Sequence, residues 1–204
     1  MADAGRVITG TARGLRLAAP GEGTRPLSDR VKQALFATLE SEMGEAWPAD
    51  VLDLFAGSGA AGIEALSRGA DRAVFVERDP RAARVIVENL RRTRLTGGVV
   101  VRGDACRYLD APAAARAGAG PAFGAVIVDP PYADVQVLAD VLLRLGTATL
   151  GWLRPDAVVV AKHFWRTPPP ARAGSLSVVR ARRFGETALA FYRPDASPEV
   201  ESTR

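Results

Sequence analysis

The 204-residue chain carries 27 Lys and Arg against 23 Asp and Glu, and 48% of it is hydrophobic, which suits one large domain with a substantial core. A single cysteine excludes a disulfide framework, and a single histidine excludes most zinc sites. No apolar run approaches the ~20 residues of a membrane span, and Met1–Gly5 lacks the apolar core of a signal peptide, so a cytoplasmic protein is expected.

The net charge is +4 and the isoelectric point about 9.8. Residues 162–193 hold Lys162, Arg166, Arg172, Arg180, Arg182, Arg183 and Arg193 against Glu186 alone. Such an asymmetry points to a polyanion-facing surface, nucleic acid above all; the alternative is a solvated edge in an arginine-rich chain.

In chain order, Arg6–Thr9 and Gly14–Ala18 are short segments able to pair as a hairpin across Gly10–Arg13. Arg6, Arg13 and Arg16 make it positive, as an RNA-contacting flap or as edge decoration. Thr24-Arg25-Pro26 leads to a helix that Ser28 can cap, with Val31, Leu35 and Leu39 as its apolar stripe. Arg25 and Asp29 read equally as helix-entry residues or as a closure of a ligand pocket from its N-terminal side.

Val51–Leu54 is an apolar run of strand length that breaks into Phe55-Ala56-Gly57-Ser58-Gly59 and resumes as the helix former Ala60–Ser67. Strand, glycine turn and helix form the first half of a nucleotide-binding α/β unit. Asp53 ends the strand, where a carboxylate can meet a cationic amino group. Glu77 ends the next strand-like run, about 20 residues after the glycines, where an acid can hold ribose hydroxyls. Dinucleotides and S-adenosylmethionine (SAM) both use such an acid.

Asp79-Pro80 opens the following helix, with Val85, Ile86 and Leu90 toward the sheet and Arg81, Arg84, Arg91 and Arg92 wet. Gly97–Arg102 is a third strand, and Asp104 at its end is placed for an adenine edge. Cys106 reads as packing. Ala111–Pro121 is a surface connection, and Gly124–Val128 a fourth strand. Asp134 is a candidate cap for a helix running to about Leu145, Ala157–Ala161 is a fifth strand, and Ser175–Arg183 and Thr187–Arg193 are antiparallel. Asp195–Arg204 reads as a frayed tail.

Asp129-Pro130-Pro131-Tyr132, at the end of the fourth strand, is the most specific feature. Two prolines remove two N–H donors and stiffen the turn. The Asp129 carboxylate and the Pro130 carbonyl then become fixed acceptors, and Tyr132 a platform for stacking. This combination suits the exocyclic amine of a flipped-out base. Hydrogen bonds that favour a pyramidal nitrogen would aim its lone pair at a methyl donor.

These motifs resemble those of class I methyltransferases acting on amino groups. Arg6-Val7-Ile8-Thr9-Gly10, Thr24-Arg25-Pro26, Asp29-Arg30-Val31-Lys32 and Phe184-Gly185-Glu186-Thr187 resemble more narrowly the RsmD family of bacterial 16S rRNA guanine-N2 methyltransferases. The resemblance spans about residues 6–193. It implies an α/β, Rossmann-like fold: a seven-stranded, mostly parallel sheet with helices on both faces and a small N-terminal hairpin.

It further implies residues 1–23 as the hairpin extension, 24–194 as the methyltransferase domain and 195–204 as a tail. SAM would sit on Asp53, Phe55, Ala56, Gly57, Gly59, Glu77, Arg78, Asp104 and Ala105, with Thr24 and Arg25 closing the pocket. Asp129, Pro130, Pro131 and Tyr132 would hold the base. Arg6, Arg13, Arg16, Lys162, Arg182 and Arg183 would meet 16S rRNA, within a small subunit or its assembly intermediate.

One stretch departs from the pattern. Lys162-His163-Phe164-Trp165 stands where family members commonly carry a carboxylate. His163 is readable as a general base or as an RNA contact. A monomer is expected, since no extended apolar surface stripe is apparent. The competing readings are an adenine-N6 or side-chain amide methyltransferase, a nicotinamide dehydrogenase that leaves D-P-P-Y unexplained, and a non-catalytic RNA-binding assembly factor. A cytosine-C5 enzyme needs a nucleophilic cysteine, and Cys106 is misplaced for it.

Overall fold

A computed structural model describes residues 3–21, 27–110, 122–132 and 134–195. The expectations for Thr24, Arg25, the Ala111–Pro121 connection and the tail beyond Asp195 concern residues outside those described. The elements are β1 (Asp3–Arg6), β2 (Arg16–Ala18), α1 (Asp29–Met43), β3 (Val51–Leu54), α2 (Ala60–Ser67), β4 (Ala73–Glu77), α3 (Pro80–Thr93), β5 (Gly98–Arg102), α4 (Ala105–Asp110), β6 (Phe123–Val128), α5 (Val135–Leu145), β7 (Leu153–Phe164), β8 (Arg172–Ala173), β9 (Leu176–Phe184) and β10 (Thr187–Pro194).

The main sheet runs β5-β4-β3-β6-β7-β10-β9-β8. Its first five strands are parallel, and β10 lies antiparallel to both β7 and β9. The seven strands implied by the resemblance are present, and the two-residue β8 adds an eighth at the edge. The fifth predicted strand is longer than its apolar core, extending over Leu153–Phe164 because β10 pairs along its second half.

Near-continuous apolar strands belong in a sheet covered on both faces. Alternation along β3 sends Val51 toward the layer of α1, α2 and α3, where Leu35, Phe36, Leu39, Ile63 and Ile86 pack. It sends Leu52 and Leu54 toward α4 and α5, where Leu109, Leu138, Val141 and Leu142 pack with Trp152. No helix among the described residues is long and apolar enough to cross a membrane.

Local signals set the helix starts. Ser28 accepts from the Val31 N–H, and Asp79 accepts from the Arg81 and Ala82 N–H groups with Pro80 following. Asp134 stands at the N-cap of α5, but its side chain makes no capping bond, so that reading is corrected.

The hairpin begins earlier than its sequence suggests. The Ile8 and Thr9 N–H groups donate to Glu64 on α2, at 2.7 and 3.0 Å, instead of to the other strand. Glu64 also accepts from Arg68 at 2.8 Å and lies 3.7 Å from Lys32, whose ammonium donates to the Arg6 carbonyl. Glu64 and Lys32 are fully buried, and burial pushes the Lys32 ammonium below its ordinary value. Ala4, Val7, Ala12 and Leu17 join the core that covers α1 and α2.

Asn89 of α3 completes the attachment. It accepts from the Ala18 N–H at 2.8 Å and donates to the carbonyls of Ala18 and Ser58 at 3.0 and 2.9 Å. Asn89→Ala leaves these buried groups unpaired and is expected to cost about 2–4 kcal/mol in urea unfolding. A loss below about 0.5 kcal/mol would mean that the contacts are dispensable.

Candidate active site

Parallel register aligns the C-terminal ends of four strands. Leu54 pairs with both Val76 and Val128, and Val128 pairs with Ala161. The residues that follow these partners are Phe55, Glu77, Asp129 and Lys162, and all four line one cleft of about 610 Å³. Ligands of open α/β sheets bind at such a crevice.

The turn after β3 is held open by unusual backbone. Phe55, Gly57 and Gly59 adopt φ values of 60°, 55° and 77°. Positive φ is uncommon for a bulky residue, and strain of this kind gathers at ligand sites. A Cβ on Gly59 would approach Ile86 at 3.0 Å, and one on Gly62 would lie 2.3 Å from the Phe75 ring. The third glycine of the fingerprint thus permits close packing of α2 on β4.

Carboxylates fix this turn. Glu77 accepts from the Gly57 N–H through one oxygen and from the Asp79 N–H through the other, both at 2.8 Å. Each oxygen keeps a further lone pair for a ligand hydroxyl. Asp53 accepts from the Gly62 N–H at 2.8 Å. Burial, reinforced by Asp129 and Glu77, pushes the Asp53 carboxyl up to about 8, the Gly62 N–H opposing it. Asp104 lines the cleft beside Ala105 and also accepts from the Arg107 N–H at 3.0 Å, a helix-capping role absent from the sequence reading.

Across the cleft, Asp129 accepts a hydrogen bond from Lys162 at 2.5 Å. Burial pushes the Asp129 carboxyl up while Lys162 pulls it down. The Tyr132 hydroxyl pairs with that of Thr187 at 2.6 Å, and its ring lies 6.2 Å from that of Phe164. Pro130 is buried and Tyr132 half-buried at the rim.

Among the described lining residues, Glu77, Asp79, Asp104 and Asp129 outnumber the cations Arg78 and Lys162 even with Asp53, whose burial favours its neutral form, left aside. An acidic excess suits a ligand bearing sulfonium and ammonium charges, and the Glu77 lone pairs suit a ribose. The residues present therefore fit SAM.

The expected RNA-contact residues divide. Arg13, Arg182 and Arg183 are exposed. Arg183 stacks 3.5 Å from the Trp165 ring centroid, with Arg166 at 4.9 Å. Arg6 pairs with Asp29 at 2.9 Å and Arg16 with Asp3, leaving both side chains largely exposed. Asp29 is thus engaged with Arg6, away from the cleft lining.

Lys162 is not a surface cation. Its side chain is 12% exposed, inside the cleft. His163 is buried, with Nδ1 bonded to the Phe164 carbonyl at 2.9 Å, so the reading as an RNA contact is corrected. Sequence reasoning missed the Lys162–Asp129 pair and the Thr187–Tyr132 bond, and also the Asn89 bond that reaches Ser58.

The strand order, with the glycine turn and the D-P-P-Y rim at its carboxyl edge, is that of a class I methyltransferase fold. The chain belongs to the family described as conserved hypothetical protein 95, the RsmD family, which it matches over residues 5–193. It is 37% identical over 190 residues to YlbH of Bacillus subtilis, named as a candidate rRNA methyltransferase, covering 92% of this chain and 98% of that one. It is 31% identical over 198 residues to ribosomal RNA small subunit methyltransferase D of Escherichia coli K12, covering 97% and 93%. The solved structure of Escherichia coli yhhF, named as a candidate methyltransferase, superimposes with a TM-score of 0.76 at 32% identity over 94% of this chain and 98% of that one.

Asp53 generates a pH prediction. Its folded-state pKa of about 8 lies above the unfolded value near 4, so its protonated form's stability is fully present at acid pH and is lost as pH rises through about 8. Asp53→Asn keeps an acceptor for the Gly62 N–H without ionising. The stability of the variant relative to wild type should therefore increase between pH 5 and 8, by up to about 1.4 kcal/mol per pH unit. Denaturant unfolding across that range checks this, and parallel pH profiles would contradict it.

Proposed function

We propose that this protein transfers a methyl group from SAM to the exocyclic N2 amine of a guanine in small-subunit rRNA. The observation that carries the reading is the convergence of the Gly57 turn and the Asp129–Tyr132 rim on one acidic cleft. Family membership and the rRNA methyltransferase names of its relatives support the substrate class.

SAM supplies, when bound, an electrophilic methyl group whose carbon–sulfur bond breaks as the new carbon–nitrogen bond forms. Glu77 holds the ribose, Asp104 and Ala105 border the adenine with Arg78 alongside, and Asp53, Phe55, Ala56, Gly57 and Gly59 surround the methionine part. Tyr132 stacks the flipped base, its ring held by the bond to Thr187. Asp129 and the Pro130 carbonyl accept from the base N–H donors and orient the nitrogen lone pair along the transfer line. Pro131 stiffens the turn. The methylated amine then releases its extra proton to solvent, so the chain needs no dedicated base.

Residues 1–23 form an extension whose β1–β2 hairpin acts as an arm on the methyltransferase domain of 24–194. Arg6, Arg13, Arg16, Arg182 and Arg183 give it and the β9 edge an RNA-facing charge. The protein acts as a cytoplasmic monomer on an assembled or assembling subunit.

Labelled methyl transfer onto small subunits lacking the modification, compared with naked rRNA and followed by nucleoside mass analysis, tests the reading. N2-methylguanosine is expected. N6-methyladenosine, or no nucleoside product, would contradict it. Asp129→Ala should lower kcat by about 10²–10³-fold, in the range seen for loss of one preorganised polar contact. Tyr132→Ala should cost about 5- to 150-fold in kcat/KM through lost stacking. Full activity in either variant would remove that residue from the site.

A further inference from the structure

The β6–β7 register makes Asp129 and Lys162 neighbours, because Val128 pairs with Ala161 immediately before them. The Lys162 ammonium lies 2.5 Å from one Asp129 oxygen and 5.2 Å from the centroid of the Tyr132 ring. Their side chains are 12% and 25% exposed, so the pair is sheltered but still opens onto the cleft. An aromatic platform therefore has, at its rim, an N–H donor beside the two acceptor oxygens of a carboxylate.

Donor, acceptor, acceptor is the order in which cytosine presents its amino group, ring nitrogen and carbonyl to guanine. Guanine answers with the O6 acceptor, the N1–H donor and the N2–H donor. Adenine cannot: its amino group would meet the ammonium, and its N1 lone pair would meet the carboxylate. Enzymes that flip a base read it by hydrogen bonds to this same Watson–Crick edge.

We infer that Lys162 and Asp129 together form a cytosine-like edge that selects guanine, Lys162 donating to O6 while Asp129 accepts from N1–H and N2–H. The inference rests on the guanine-N2 reading above and adds the residue that gives it specificity. The second N2–H is left to the Pro130 carbonyl, so recognition and alignment of the amine use the same turn. Lys162 has a further effect through its partner. Burial drives Asp129 toward its neutral form, which would place an O–H donor against the N1–H of guanine. The ammonium opposes this and keeps both oxygens as acceptors.

The test uses small subunits rebuilt with 2-aminopurine at the mapped methylation site. This analogue keeps the 2-amino group but lacks O6 and the N1–H. The ratio of kcat/KM on guanine to kcat/KM on 2-aminopurine is the readout. Wild-type protein should favour guanine by at least about tenfold, the scale of one charge-assisted hydrogen bond. A rate on the analogue too low to measure gives a lower bound on this ratio.

Lys162→Met should reduce the ratio by about tenfold or more, and Lys162→Arg, which keeps an N–H donor, should largely preserve it. Equal losses by Lys162→Met on both bases, leaving the ratio unchanged, would show a merely structural lysine and overturn the inference. If Lys162→Met does not fold, the wild-type ratio alone decides: equal efficiency on both bases overturns the edge. Failure of wild-type protein to form N2-methylguanosine on the ordinary subunit would instead overturn the underlying reading of function.

Discussion

The register of four parallel strands is the constraint on which the site depends. Once Leu54 sits between Val76 and Val128, and Val128 beside Ala161, the next residues must share one edge of the sheet. A one-residue slip in any pair would turn side chains to the opposite face. The buried strands resist that slip, because each has an apolar layer on both sides. Glu77, Asp129 and Lys162 are thus brought together by core packing rather than by attraction among themselves. Indeed, burying Asp53 near Asp129 and Glu77 is electrostatically unfavourable, as the raised Asp53 value records.

Two polar networks convert this edge into a defined pocket. In one, Glu77 and Asp53 hold the backbone of the glycine turn and the start of α2. In the other, Glu64, Lys32 and Asn89 tie the hairpin to α1, α2 and α3. Asn89 touches both regions, since it bonds to Ala18 in the hairpin and to Ser58 in the turn. A buried network of this kind stabilises only when its members are satisfied, so it specifies one placement of the hairpin.

Much of the architecture was legible because its signals are local. The apolar run ending at Asp53, the following glycines, the Asp79-Pro80 helix start and the Pro130-Pro131 turn each reflect backbone chemistry within a few residues. Glu77 was legible from its spacing to the glycines. Lys162 was not, because its meaning comes from a strand register joining residues 33 positions apart. Thr187 and Asn89 likewise act across separations of 55 and 71 residues. Glu64 did leave a trace, an acid inside the otherwise apolar Ala60–Leu66, and such a residue implies a buried partner. The hairpin was legible from its own short segments and the narrow resemblance added the overall sheet, but a family pattern could not say what the lysine in this chain touches.

The central claim is geometric: the β3 turn holds the methyl donor, and the β6 turn holds the acceptor base opposite it. A crystal structure with bound S-adenosylhomocysteine measures this most directly. The account predicts the ribose hydroxyls on Glu77 and the sulfur facing Asp129 across the cleft. A ligand bound with its sulfur turned away from Asp129, or bound outside this crevice, would contradict it.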